Sequence, residues 1–122
     1  MQVPKVYVGT LYCGESDFDS CVESIVSQKN VQVTHHIIKN ESEQDAHNKL
    51  WDSWNKVKSE HDFFVKVDAD TSLAHDFILE NFWSMLSSNS RITGIQAPLH
   101  DYFTNSHING LNCFRNNVIF MN

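Results

Sequence analysis

Basic residues are scarce in this 122-residue chain: nine Lys and Arg stand against 15 Asp and Glu, a formal charge of −6. Sequence-independent binding of nucleic acid needs a basic surface that neutralises phosphates, so no nucleic-acid partner is expected. A nucleotide held through a metal ion stays open. Cysteine is scarce as well. Cys13, Cys21 and Cys113 are odd in number, widely spaced and form no Cys-x-x-Cys pair. That argues against a zinc knuckle or a disulfide framework and for reduced thiols in a cytoplasmic protein. Long apolar runs are missing: nothing approaches the ~20 residues that span a bilayer. The opening Met1-Gln2-Val3-Pro4-Lys5 lacks the apolar core of a secretion signal. There is no internal repeat, low-complexity stretch, linker or shift in composition. The length suits one domain over residues 1–122.

What is present alternates between two periodicities. Residues 5–10 are rich in β-formers and read as a first strand. Phe18, Cys21, Val22, Ile25 and Val26 then recur at helical spacing, with Ser16 or Asp17 available as a cap. Residues 31–39 read as a second strand, and 45–59 as a helix with Ala46, Leu50, Trp54 and Val57 on one face. Phe63-Phe64-Val65-Lys66-Val67 is a third, mostly buried strand. A broad apolar helix follows, carrying Ile78, Leu79, Phe82, Trp83, Met85 and Leu86. Residues 92–97 make a fourth strand stopped by Pro98, and the tail from Leu99 is less regular until Val118-Ile119-Phe120-Met121. Strands alternating with helices imply right-handed crossovers and an α/β fold with a mainly parallel sheet. A short sheet with an open edge and an apolar tail makes a homo-oligomer an expectation too.

Asp68-Ala69-Asp70 stands directly after the third strand. Two carboxylates this close repel each other, and a divalent cation removes the cost. The carboxyl end of a parallel sheet is also where open α/β folds place ligands. The plainer alternative is a pair of solvated acids, with Asp70 or Thr71 capping the next helix. A calcium loop starting at Asp68 would need Gly and Glu where Leu73 and Leu79 stand. A haloacid-dehalogenase-like phosphatase has Asp-x-Asp-x-Thr on its first strand. Here the pair is on the third, with Ser72 in place of the Thr, so a metal-dependent phosphatase is the less favoured reading.

The ordered motifs around the pair resemble glycosyltransferase family 2. Val6-Tyr7-Val8-Gly9-Thr10-Leu11-Tyr12 looks like the family's first strand and its end. Cys21-Val22-Glu23-Ser24-Ile25-Val26-Ser27-Gln28 is similar to the first-helix ending, Ile37-Ile38-Lys39-Asn40-Glu41-Ser42 to the strand-two ending, and Ala46-His47-Asn48 to the opening of the second helix. Asp68-Ala69-Asp70 corresponds to the family's Asp-x-Asp, and Gly110 with Phe114-Arg115 to a segment beyond the fourth strand.

The resemblance implies a three-layer, Rossmann-like GT-A sandwich and a metal-dependent transfer of sugar from a UDP- or GDP-linked donor to an unidentified acceptor. Thr10, Tyr12, Asn40, Asn48, Lys49 and Asp68 would border the nucleotide. Asp68 and Asp70 would hold Mn²⁺ or Mg²⁺, with His107 as an extra ligand. Lys39 and Glu41 depart from the family, which has an acid and a Gly at those places. The family's acceptor region, with its acidic base, would follow Arg115; Asp101 is a weak candidate for that base. The alternative is a nucleotide-sugar-binding module without catalysis, or a half-site completed by another subunit. His35 and His36 adjoin on one strand, so their side chains face opposite ways and make no paired metal site. Tyr102-Phe103 could stack on a sugar or cover a sheet edge.

Overall fold

A computed structural model describes residues 3–101 and 106–116; for 97–101 and 106–110 the description concerns the backbone. The elements run β1 (Lys5–Tyr12), α1 (Phe18–Val26), β2 (Gln32–Lys39), α2 (Glu43–Val57), a 3₁₀ turn (Lys58–Glu60), β3 (Phe63–Lys66), α3 (Ile78–Ser88), β4 (Gly94–Asp101) and β5 (Ser106–Arg115). Five strands form one open sheet in the order β2-β1-β3-β5-β4. No helix among the described residues is long and apolar enough to cross a membrane.

The sheet is mixed, which corrects the expected mainly parallel one. β2, β1 and β3 are parallel, whereas β5 runs antiparallel to both β3 and β4. The cause is the segment read as an irregular tail. It doubles back as a ten-residue strand and inserts between β3 and β4. A hairpin needs no crossover helix, so the alternation that signals parallel pairing ends at α3. Pro98 does not stop β4 either. The register shifts between Ala97 and Pro98, and β4 is an edge strand, where a proline without an N–H is tolerated.

Alternation along β1 sends its side chains into two separate cores. Val6 and Val8 pack with Cys21 and Ile25 of α1, with Leu79, Phe82 and Leu86 of α3, and with Phe63 and Val65. Tyr7 packs with Ala46, Leu50 and Trp54 of α2 and with Phe64. Ser42 caps α2 by accepting from the Asp45 N–H at 3.2 Å, two residues ahead of the helix start expected from periodicity.

Gly9 sits where α2 presses on β1. A Cβ built there would lie 2.4 Å from Leu50 Cδ1, and Leu50 is fully buried. Gly9→Ala is therefore expected to destabilise by about 1–3 kcal/mol through overpacking. Leu50→Ala alone should cost about 2–5 kcal/mol. The double variant should cost clearly less than the sum, because each change relieves the other. Urea midpoints of the four proteins check this, and strict additivity would refute the contact.

Candidate functional site

β1, β2 and β3 end at the same edge of the sheet, and the chain leaving each one enters a cavity of about 300 Å³. Its lining includes Cys13 and Glu15 after β1, Glu41 after β2, and Asp68 and Asp70 after β3. Glu43 and His47 join from the first turns of α2, and Lys66 from β3 itself. Pairing with β1 persists to Val67, whose N–H donates to Gly9 O at 3.0 Å, so the strand holds the acid pair at its exit. Ala69 is buried between the two acids, while Asp70 is exposed and Asp68 half-buried.

The acid pair does not cap α3. That helix begins at Ile78 with Phe77 as its N-cap, which offers no side-chain bond. Residues 68–77 form a loop pinned to α1 instead. Leu73 N–H donates to Ser24 Oγ at 3.0 Å, and the Cys21 thiol donates to Asp68 O at 3.5 Å. Gln28, buried just past α1, donates to His75 O at 2.7 Å and accepts from Leu79 N–H at 3.0 Å. It thus satisfies one of the orphan donors of α3 across 51 residues of sequence. The Gln28 that ended the family-like motif is a remote helix cap.

The field at this edge is negative. Burial pushes the Cys21 thiol up to about 11, and the charges of Asp70, Asp68 and Glu15 push the same way. Glu15 accepts from the Cys13 N–H at 3.0 and 3.2 Å, which fixes its carboxylate against the β1 exit. Lys66 Nζ lies 3.3 Å from Asp68 Oδ1. Lys49 is ion-paired with Glu41. His47 Nδ1 is 2.8 Å from Glu43 O; a carbonyl only accepts, so Nδ1 carries the proton.

The carboxylates are hard oxygen donors of the kind Mg²⁺ and Mn²⁺ take. No group of three or more His, Cys, Asp and Glu among the described residues is arranged to hold an ion. A divalent ion at this edge would thus be held by one or two of these carboxylates.

The other expected site residues scatter. Thr10 is fully buried, and its hydroxyl is hydrogen-bonded to His35 Nε2 at 2.8 Å beneath the edge. Tyr12 stacks on Phe18 with ring centroids 4.0 Å apart. Asn40 is exposed at a left-handed φ of 58°, with its N–H donating to Tyr12 O at 2.8 Å. Asn48 is half-buried on α2 beside Lys49, and neither lines the cavity. On β5, His107 is paired in register with His100, five residues before Asn112, which is opposite Lys66. Asp101 ends β4 opposite Ser106. Tyr102, Phe103 and the 118–121 tail lie outside the described residues.

Glu15, Glu41, Glu43, His47 and Lys66 were not legible as site residues. Glu43 and His47 are one helical turn apart and Lys66 stands two residues before Asp68, but these groups come from separate stretches of chain that the fold brings together. Local alternation did separate the two histidines: His35 meets Thr10 on the α1 side, and His36 Nδ1 is bonded to the Tyr7 hydroxyl on the α2 side.

Burial, with a smaller contribution from His36, holds the His35 imidazole below its ordinary 6.5. The unfolded chain then binds the extra proton more readily than the folded one. This contribution is intact above about pH 6.5 and is lost as pH falls through the folded-state value. Stability by urea titration is expected to decline below that point, and His35→Gln should flatten the decline. An unchanged slope in His35→Gln would assign it to other groups.

No protein-family model matches the chain, and no curated protein matches it.

Proposed function

We propose that this domain binds a nucleoside-diphospho-sugar through a divalent cation and transfers the sugar to an acceptor, in the manner of the glycosyltransferase family 2 that its motifs resemble. The observation that carries the reading is the place of Asp68 and Asp70. They leave the central parallel strand together and line a concave site at the carboxyl edge of the sheet. The two cores support a GT-A-like layering, with α2 on one face of the sheet and α1 and α3 on the other.

In this reading Asp70, exposed and without a partner among the described residues, is the principal carboxylate for Mn²⁺ or Mg²⁺. A cation there would offset the charge that develops on the departing diphosphate. Asp68 orients the ligand or the hydration shell from the half-buried side. Glu15 and Glu41 keep the rim negative, which disfavours a free phosphate and favours one that arrives with its cation.

A second reading is favoured by the size of the site. About 300 Å³ is at the lower end of ligand pockets, so a donor would be enclosed only in part. A nucleotide-sugar-binding half-site completed by another subunit fits that volume.

Thermal stabilisation by a panel of nucleotides and nucleotide sugars, with and without Mn²⁺, tests both. A specific ligand at 100 times its dissociation constant adds about 2.7 kcal/mol. If none stabilises the protein in the presence of metal, the donor-binding reading is lost. Binding with neither hydrolysis nor transfer selects the half-site.

A further inference from the structure

We propose that Lys66 is the phosphate-contacting group of this cavity: it is paired with Asp68 here, and turns onto a diphosphate when Asp68 and Asp70 bind a divalent ion. The inference rests on the diphosphate reading above and adds a residue and a coupling to it.

Lys66 is the last residue of β3, and alternation places it on the Phe64 side of the sheet, toward α2. Its side chain is 18% exposed, against 49% for Asp68. Asp68 Oδ1 at 3.3 Å is its ion-pair partner. Residues two apart along an extended chain face the same way, so the pair by itself is unremarkable in geometry.

Its surroundings give it a use. Among the described residues lining the cavity, Lys66 is the one lysine or arginine, set among Glu15, Glu41, Glu43, Asp68, Asp70 and His47. Lys49, outside the lining, is ion-paired with the lining residue Glu41. A diphosphate brings several negative charges into this setting, and one divalent ion does not cancel them together with the two aspartates. Lys66 supplies a further positive charge at the floor.

Competition for Asp68 links the two events. A cation bound at the acid pair takes the carboxylate that Lys66 holds and repels the ammonium. The lysine has a flexible four-carbon stem and a compact charge suited to phosphate oxygens. The freed ammonium then needs an anion, and the diphosphate supplies one. Metal and diphosphate should therefore bind with positive coupling, each raising the affinity for the other.

Calorimetric titrations of wild type, Lys66→Met and Lys66→Arg test this, with Mn²⁺ alone, then with inorganic pyrophosphate, UDP and GDP in the presence of Mn²⁺. Melting temperatures of the three proteins serve as the folding control. Lys66→Met is expected to bind pyrophosphate about tenfold more weakly or worse. It should bind Mn²⁺ alone as well as wild type or more tightly, because the competitor for Asp68 is gone. Lys66→Arg, which keeps the charge, should stay close to wild type. Unchanged pyrophosphate binding by Lys66→Met overturns the assignment and leaves the donor reading standing. An equal loss of Mn²⁺ and pyrophosphate affinity also overturns it, because Lys66 would then act on the acid pair alone. Lys66-dependent pyrophosphate binding to which UDP, GDP and their sugars add nothing upholds the lysine and removes the nucleotide-sugar reading. Failure of wild type to bind any diphosphate with Mn²⁺ removes both.

Discussion

Trp54→Ala is expected to lower stability by about 3–5 kcal/mol, the largest single loss in the domain. Against the 5–15 kcal/mol typical of a folded domain, that is about a fifth of the total or more. Trp54 is fully buried and is the largest side chain of the α2-side core. Its ring meets Phe64 edge-on at 5.0 Å and Tyr7 at 5.8 Å, so alanine would leave a cavity under the last turn of α2. The indole N–H is buried with no hydrogen-bond partner among the described residues. A donor in that state costs about 1–3 kcal/mol. Trp54→Phe keeps most of the ring contacts and deletes the orphan, so it should cost less than half as much as the alanine variant. Urea unfolding followed by circular dichroism measures both. Equal losses in the two variants would mean that the N–H is satisfied in solution, and an unchanged Trp54→Ala midpoint would remove the residue from the core.

Asp70→Ala is expected to abolish metal-dependent stabilisation by nucleotide sugars while leaving the fold intact. Asp70 is exposed, so its removal neither opens a cavity nor strands a buried partner. Its melting temperature without ligand should match wild type within about 2 °C, since surface changes of this kind stay within about ±0.5 kcal/mol. With Mn²⁺ and ligand at 100 times the wild-type dissociation constant, the roughly 2.7 kcal/mol gained by wild type should fall to near zero. Asp68→Ala is a poorer test, because it also strands Lys66. Full ligand-induced stabilisation of Asp70→Ala would move the cation away from the acid pair.

Much of this was readable along the chain. The helical stripe of Ala46, Leu50 and Trp54 and the run Phe63-Phe64-Val65 are buried where their periods placed them. The acid pair leaves a central strand, β3, between β1 and β5. Errors clustered where the deciding contact is distant. The fourth strand, expected to end before Pro98, runs on to Asp101 and keeps the direction of β3, but it is bonded to β5, which inserts between the two and pairs with β3 at Lys66↔Asn112, 46 positions on. The plainer alternative, in which Asp70 or Thr71 caps the next helix, fails because Gln28 serves α3 from 51 positions earlier in the chain.

By itself, then, the sequence determined the alternation of elements as far as the fourth strand, the buried stripe of α2 and the exit of Asp68 and Asp70 from a buried strand. Hydrophobic period and turn chemistry are local, and these features depend on nothing else. Tertiary structure alone decided the mixed sheet, the pinning of the 68–77 loop by Ser24 and Gln28, and the meeting of Glu15, Glu41 and Glu43 with the acid pair. Strand order and convergent charge arise from contacts between residues far apart in the chain, which no local pattern encodes.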